Sequence, residues 1–180
     1  PPIKTRGVLG NEDGPFAVDT ITIPYQNRYN ALMFVSGFDF LPNGRAVVCT
    51  AHGDVWLVDG IDEDLDELLW KRIATGLYQP LGLKVVAWDA YVMCRDRIIR
   101  FEFLGYQHLD GMREVTFHHA FNEDLVVMGQ NHAYAMSLET DPDGNFYFIK
   151  SGGTPPHGGT MLKVDSAGKS MEVYATGYRH

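Results

Sequence analysis

Apolar and polar residues alternate along most of this chain in short runs separated by Gly, Asn, Asp and Pro, a pattern that predicts β-strands joined by turns. Three stretches align with one another. Residues 37–49, which carry Gly37, Pro42-Asn43-Gly44 and Cys49, match residues 82–94 without a gap 45 positions on, and Cys49 falls on Cys94. Residues 137–149 follow 55 positions later and repeat the first turn as Pro142-Asp143-Gly144. A second register agrees, since Ala74-Thr75-Gly76-Leu77 returns as Ala175-Thr176-Gly177-Tyr178, 101 residues on.

Each unit reads as four strands. They are predicted near 36–41, 45–51, 54–59 and 70–75 in the first unit, and near 82–87, 90–95, 97–103 and 115–121 in the second. In the third unit they fall near 136–141, 145–150, 160–165 and 171–175, and residues 62–69 of the first are expected to form an acidic loop. Four antiparallel strands repeating at this spacing mark a β-propeller blade, so the expected fold is all-β. The expected organisation is an N-terminal extension and lead-in strand over 1–35, then three blades over 36–81, 82–135 and 136–180. Three blades are about half of a six-bladed ring, and an open arc would leave two apolar blade faces wet. A truncated piece is therefore expected, or a half-ring closed by a second half or another copy.

Composition narrows the functions. The 180 residues are 45% hydrophobic and 21% charged, which suits a folded chain with a core. The net charge of −8, with no Lys/Arg cluster, argues against nucleic acid as a partner. No apolar run approaches the roughly 18 residues that span a bilayer, so no membrane span is expected. Pro1-Pro2-Ile3-Lys4 has no apolar signal region. Cys49 and Cys94 sit in apolar runs without CxxC spacing and read as buried small hydrophobes.

Several motifs carry a family resemblance. The stretch 15–24, Gly37-Phe38-Asp39-Phe40 with Pro42-Asn43-Gly44-Arg45, Gly53-Asp54-Val55-Trp56-Leu57-Val58, residues 76–86 and His157-Gly158-Gly159-Thr160-Met161-Leu162-Lys163-Val164 resemble bacterial propellers related to soluble quinoprotein glucose/sorbosone dehydrogenases. Such proteins occur in planctomycetes and are sometimes fused to cytochrome c. The resemblance spans about residues 15–180. It implies a six-bladed fold, pyrroloquinoline quinone as cofactor, a carbohydrate substrate and a periplasmic or extracellular location. Relatives carry an acidic loop suited to calcium after the third strand of the second blade. Here that place reads His108-Leu109-Asp110-Gly111-Met112-Arg113-Glu114, with Asp110 and Glu114 as its carboxylates, and no calcium site is expected there.

Strand direction sorts the candidate site residues. The turn between strands two and three of a blade and the crossover to the next blade share one face of the disc. His52, Arg95, Asp96 and His157 therefore fall on the same face as Gln79, Asn131, His132, Arg179 and His180. Gln79, Asn131, His157 and His52 are the candidate substrate contacts. His132 precedes the innermost strand of the third blade. By resemblance to the histidine ahead of a similar Pro-Asp-Gly turn it is the candidate general base, although a loop histidine bonded to the backbone fits the same sequence. Arg179 and His180 stand where the resemblance puts a Gly-x-Arg-Asn-Pro cofactor contact, with His180 replacing the asparagine. His118 and His119 alternate on a strand and point to opposite sides, so they do not form a metal pair. Asp39, Lys84 and Glu139 hold equivalent places on the three inner strands, and the lysine breaks an all-carboxylate metal cage.

Three readings of function remain open on sequence. The first is a sugar or polyol oxidoreductase using general-base-assisted hydride transfer to a quinone. The second is a calcium-dependent lactonase-type hydrolase acting on a lactone. The third is a non-catalytic propeller that binds carbohydrate or protein.

Overall fold

The computed structural model describes residues 1–104, 115–125, 133–152 and 157–178. Its strands are β1 (Ile3–Thr5), β2 (Val35–Phe40), β3 (Ala46–Thr50), β4 (Val55–Asp59), β5 (Leu68–Ala74), β6 (Gly82–Val86) and β7 (Asp89–Met93). They continue with β8 (Ile98–Leu104), β9 (Val115–Asn122), β10 (Ala135–Thr140), β11 (Phe146–Lys150), β12 (Thr160–Val164) and β13 (Met171–Thr176). No helix occurs among the described residues, and no helix there is long and apolar enough to cross a membrane. The strands of the three repeats begin and end within two residues of their predicted positions.

The sheets run in the orders β1-β5-β4-β3-β2, β6-β7-β8-β9 and β10-β11-β12-β13, all with antiparallel neighbours. Each repeat thus forms one four-stranded meander, and β1 adds a fifth strand to the first. A lead-in strand within 1–35 was expected from sequence, but its pairing with β5 was not. β1 is held by the pairing of Ile3–Thr5 with Leu68–Trp70 and by the exposed ion pairs Lys4–Glu67 and Arg6–Asp66. The acidic loop leading into β5 supplies both carboxylates.

The first strands of the three sheets lie side by side, β6 between β2 and β10. This close approach explains why the repeats open on Gly37 and Gly82. A Cβ on Gly37 would lie 3.0 Å from the Leu83 nitrogen, and one on Gly82 would lie 2.6 Å from the Ser137 carbonyl. Cross-links between units reinforce the contact: Ser36 Oγ donates to the Pro80 carbonyl at 2.6 Å, and the Ser137 amide donates to the Leu81 carbonyl at 3.1 Å. The result is three antiparallel sheets stacked with their first strands together, consistent with part of a propeller; the described residues form no closed ring.

Burial along the strands records the stacking. β3 is buried at every position, with Val47 and Cys49 facing the second sheet while Ala46 and Val48 face Trp56, Val58 and Trp70 on the other side. In β7, Ala90 and Val92 join the core shared with the first sheet, and Tyr91 and Met93 join the core shared with the third. β11 and β12 are buried only at alternate positions, so Phe146, Phe148, Leu162 and Val164 face inward while Tyr147, Ile149, Met161 and Lys163 are half exposed.

The two outer faces therefore differ. That of the first sheet is covered by Ile21, Ile23, Ala31 and Met33 of the segment before β2. That of the third sheet is bare among the described residues. The expectation of two wet faces fails at the first sheet, because the chain folds its own lead-in segment over it.

Candidate functional site

The site is assembled where three strand ends meet the crossover between the first and second sheets. β7 ends at Met93, the Cys94 amide bonds the Arg97 carbonyl in a tight turn, and the Arg95 amide donates to the Tyr78 carbonyl at 2.8 Å. Gly76 and Gln79 both take left-handed backbone conformations in that crossover, with φ of 83° and 46°. The conformation is unstrained for glycine and costly for glutamine. It sets the Gln79 side chain against Arg95, whose Nη1 donates to Gln79 Oε1 at 2.7 Å. Arg95 is 9% exposed, and its guanidinium also lies 4.9 Å from the centre of the Tyr134 ring and 5.6 Å from that of Tyr78.

Tyr134 leads into β10 and is fixed by Ser151, whose hydroxyl accepts from the Tyr134 amide and whose amide donates to the Tyr134 carbonyl, both at 2.8 Å. Immediately before Ser151, at the end of β11, stands Lys150. Its side chain shares a face with Phe146 and Phe148 and is 2% exposed. Its ammonium donates to the Ala133 carbonyl at 3.3 Å. Burial first, and then the guanidinium of Arg95, push its pKa below the ordinary lysine value.

His157 completes the group. Its carbonyl accepts from the Thr160 hydroxyl at 2.6 Å, and its ring Nδ1 is buried with no hydrogen-bond partner among the described residues. Burial and then the charge of Lys150 push the imidazole pKa down, favouring the neutral ring. Gln79, Arg95, Lys150 and His157 together offer two buried cations, a neutral imidazole and an amide beside two phenol rings. Such a set can hold negative charge and the oxygens of a polar ligand.

The sequence-based candidates distribute as follows. Gln79 and Arg95 are in contact, and His157 lies within electrostatic reach of Lys150. Asp96 is turned away into an ion pair with Arg97 at 2.8 Å. His52 lies apart, edge-on to Phe34 at 6.4 Å, in a groove that includes Tyr25 and Leu32. Asn131, His132, Arg179 and His180 lie outside the described residues, as does the loop from His108 to Glu114. Lys150 was missed. The repeat register was the available signal, since residues 50, 95 and 150 are equivalent, and Thr50, Arg95 and Lys150 are all buried.

The far end of the inner strands has a different chemistry. Lys84 reaches Glu139 at 2.9 Å and Asp39 at 3.8 Å, joining the inner strands of all three units. Both carboxylates are thereby committed to a cation, and no group of three or more His, Cys, Asp or Glu placed to hold a metal occurs among the described residues. His118 and His119 do face opposite ways. His118 stacks on Phe101 at 5.4 Å, and His119 Nδ1 lies 3.7 Å from Glu102.

No protein-family model matches the chain, and no curated protein matches it. Among solved structures, the fold is similar to the crystal structure of a candidate oxidoreductase (glucose dehydrogenase) from Thermus thermophilus, with a TM-score of 0.56 at 16% sequence identity. The match covers 75% of this chain and 44% of that protein, so this chain corresponds to less than half of its length. The likeness is one of fold.

Proposed function

We propose that this chain is part of a propeller-type oxidoreductase acting on a sugar or polyol, with its ligand site at the Gln79–Arg95–Lys150–His157 end of the stacked sheets. The observation that carries this reading is the clustering of those four side chains at one end, in a fold shared with a candidate glucose dehydrogenase. In this reading Gln79 and His157 bind and orient substrate hydroxyls, and His132, the neighbour in sequence of Ala133, is the general base that takes the hydroxyl proton.

A quinone cofactor bearing carboxylates, such as pyrroloquinoline quinone, suits the donor set: among the described residues Lys150 is buried with a single long hydrogen bond, and the Nδ1 of His157 has no partner. Arg95 and Lys150 would hold its carboxylates, with Arg179 and His180 as further contacts. When bound, it would supply the acceptor for hydride from the carbinol carbon. Exclusion of water by Tyr78 and Tyr134 would strengthen each polar contact.

Reconstitution with pyrroloquinoline quinone and an artificial electron acceptor tests the reading. Sugar-dependent dye reduction is expected, and His132→Ala should lower it by at least about a hundredfold. Lactone opening that a chelator abolishes, without dye reduction, would replace this reading with a hydrolase; glycan binding with neither activity would leave a binding module.

A further inference from the structure

Lys150 occupies a position that alternation reserves for an apolar side chain. It follows Phe146 and Phe148 on the inward face of β11 and is buried as deeply as they are. Its ammonium has one hydrogen bond among the described residues, 3.3 Å to a backbone carbonyl, and no ion pair there. An ammonium has three donors, and a buried one without a counter-charge is costly. Lys84 shows the ordinary solution within the same fold, since it is half buried and carries two carboxylates.

The surroundings of Lys150 add charge of the same sign. Arg95 is close enough to depress it electrostatically, and His157 presents a buried ring nitrogen without a partner among the described residues. The acids of the neighbouring turns are engaged elsewhere: Asp54 pairs with Arg72 at 3.5 Å, Glu123 with Arg97, and Asp124 accepts from Asn122 at 2.9 Å. The one acid beside Arg95 in sequence, Asp96, is engaged by Arg97 through both Nε and Nη2 at 2.8 Å.

We propose that this end of the third sheet is a carboxylate-binding site, with Lys150 as the charge partner and Arg95 and His157 flanking it, so that the ligand taken here is acidic. The carboxylate arrives either on the substrate, as a sugar acid, or on a quinone cofactor. The inference rests on the reading of this cluster as the ligand site, but not on any redox chemistry.

Calorimetric titration of the 180-residue protein with D-glucuronate, D-glucose and pyrroloquinoline quinone, paired with thermal unfolding in each, tests it. Carboxylate-bearing probes are expected to bind at least about tenfold more tightly than D-glucose and to raise the unfolding temperature. Lys150→Met should abolish that preference without lowering the unfolding temperature of the free protein, because the substitution removes a buried charge. Lys150→Arg should retain the preference. Lys150-dependent binding of glucuronate assigns the carboxylate to the substrate; such binding of the quinone alone assigns it to the cofactor. Equal binding of glucuronate, quinone and glucose by the unmodified protein, or a carboxylate preference that survives Lys150→Met, overturns the proposal. Carboxylate binding without sugar-dependent dye reduction would leave this site standing and remove the oxidoreductase reading.

Discussion

Cys49 and Cys94 are both fully buried in the core between the first two sheets. Burial pushes their thiols up to about 11 and about 12. In the unfolded chain they return to the ordinary range near 8.5. The folded state then binds more protons than the unfolded one above that pH, so this contribution to stability is complete below about pH 8.5 and is lost as the pH rises toward 11–12. Urea midpoints should fall between about pH 8.5 and 10.5, and part of that slope should vanish when both cysteines are replaced by alanine. Iodoacetamide at about pH 8 should label neither thiol in the native protein and both in denaturant. The same scale shows what sequence could and could not reveal at the site. Strand direction predicts one end for Gln79, Arg95 and His157, and the Gln79–Arg95 hydrogen bond joins two of them. It did not separate His52, because topology fixes the end at which a loop lies and not the flank to which its side chain turns. Lys150 escaped notice because a lysine closing an apolar strand reads as the point where the strand leaves the core.

At the level of strands and turns, the hairpin of each repeat meets the same geometric demand with different residues. Gly44 and Gly144 follow Pro-Asn and Pro-Asp with φ of 84° and 82°. The second unit has no glycine there. β6 and β7 are joined by Ala87-Trp88 alone, and Ala87 takes φ of 55°, where alanine is strained. Ala87→Gly should therefore stabilise the protein by about 1 kcal/mol, read as a shift in the denaturant midpoint at unchanged slope. The opposite outcome is expected at the first strand of the same sheet. Gly82→Ala forces a methyl group against the Ser137 backbone and should cost about 1–3 kcal/mol, or prevent folding. Alternation and turn residues made the twelve strands of the repeats legible. β1 was not, being three residues long and without a turn signal, and the segment covering the first sheet lacks any period that would announce a packed role.

For the molecule as a whole, the stacking order places two apolar cores between three sheets and a third beneath the lead-in segment. Among the described residues the third sheet has no such cover: Met136 and Tyr174 are exposed, and Tyr147, Ile149 and Met161 are partly so. Sheet order was readable from the repeat because each unit is a four-stranded meander in which consecutive strands pair. The asymmetry of the ends was not, because it depends on a segment outside the repeat. It governs how copies can meet. Head-to-tail addition, which would build a filament, needs two complementary free ends, and residues 21–33 occupy one of them. Back-to-back pairing of two bare sheets about a two-fold axis satisfies both partners and leaves nothing to propagate. Sedimentation of increasingly concentrated protein should thus show the 20.2 kDa species passing to one of twice that mass and no further, with Ile149→Lys holding it at the smaller size. Deleting residues 21–33 would bare the first sheet as well, and the expected outcome is then open-ended growth in place of a capped pair.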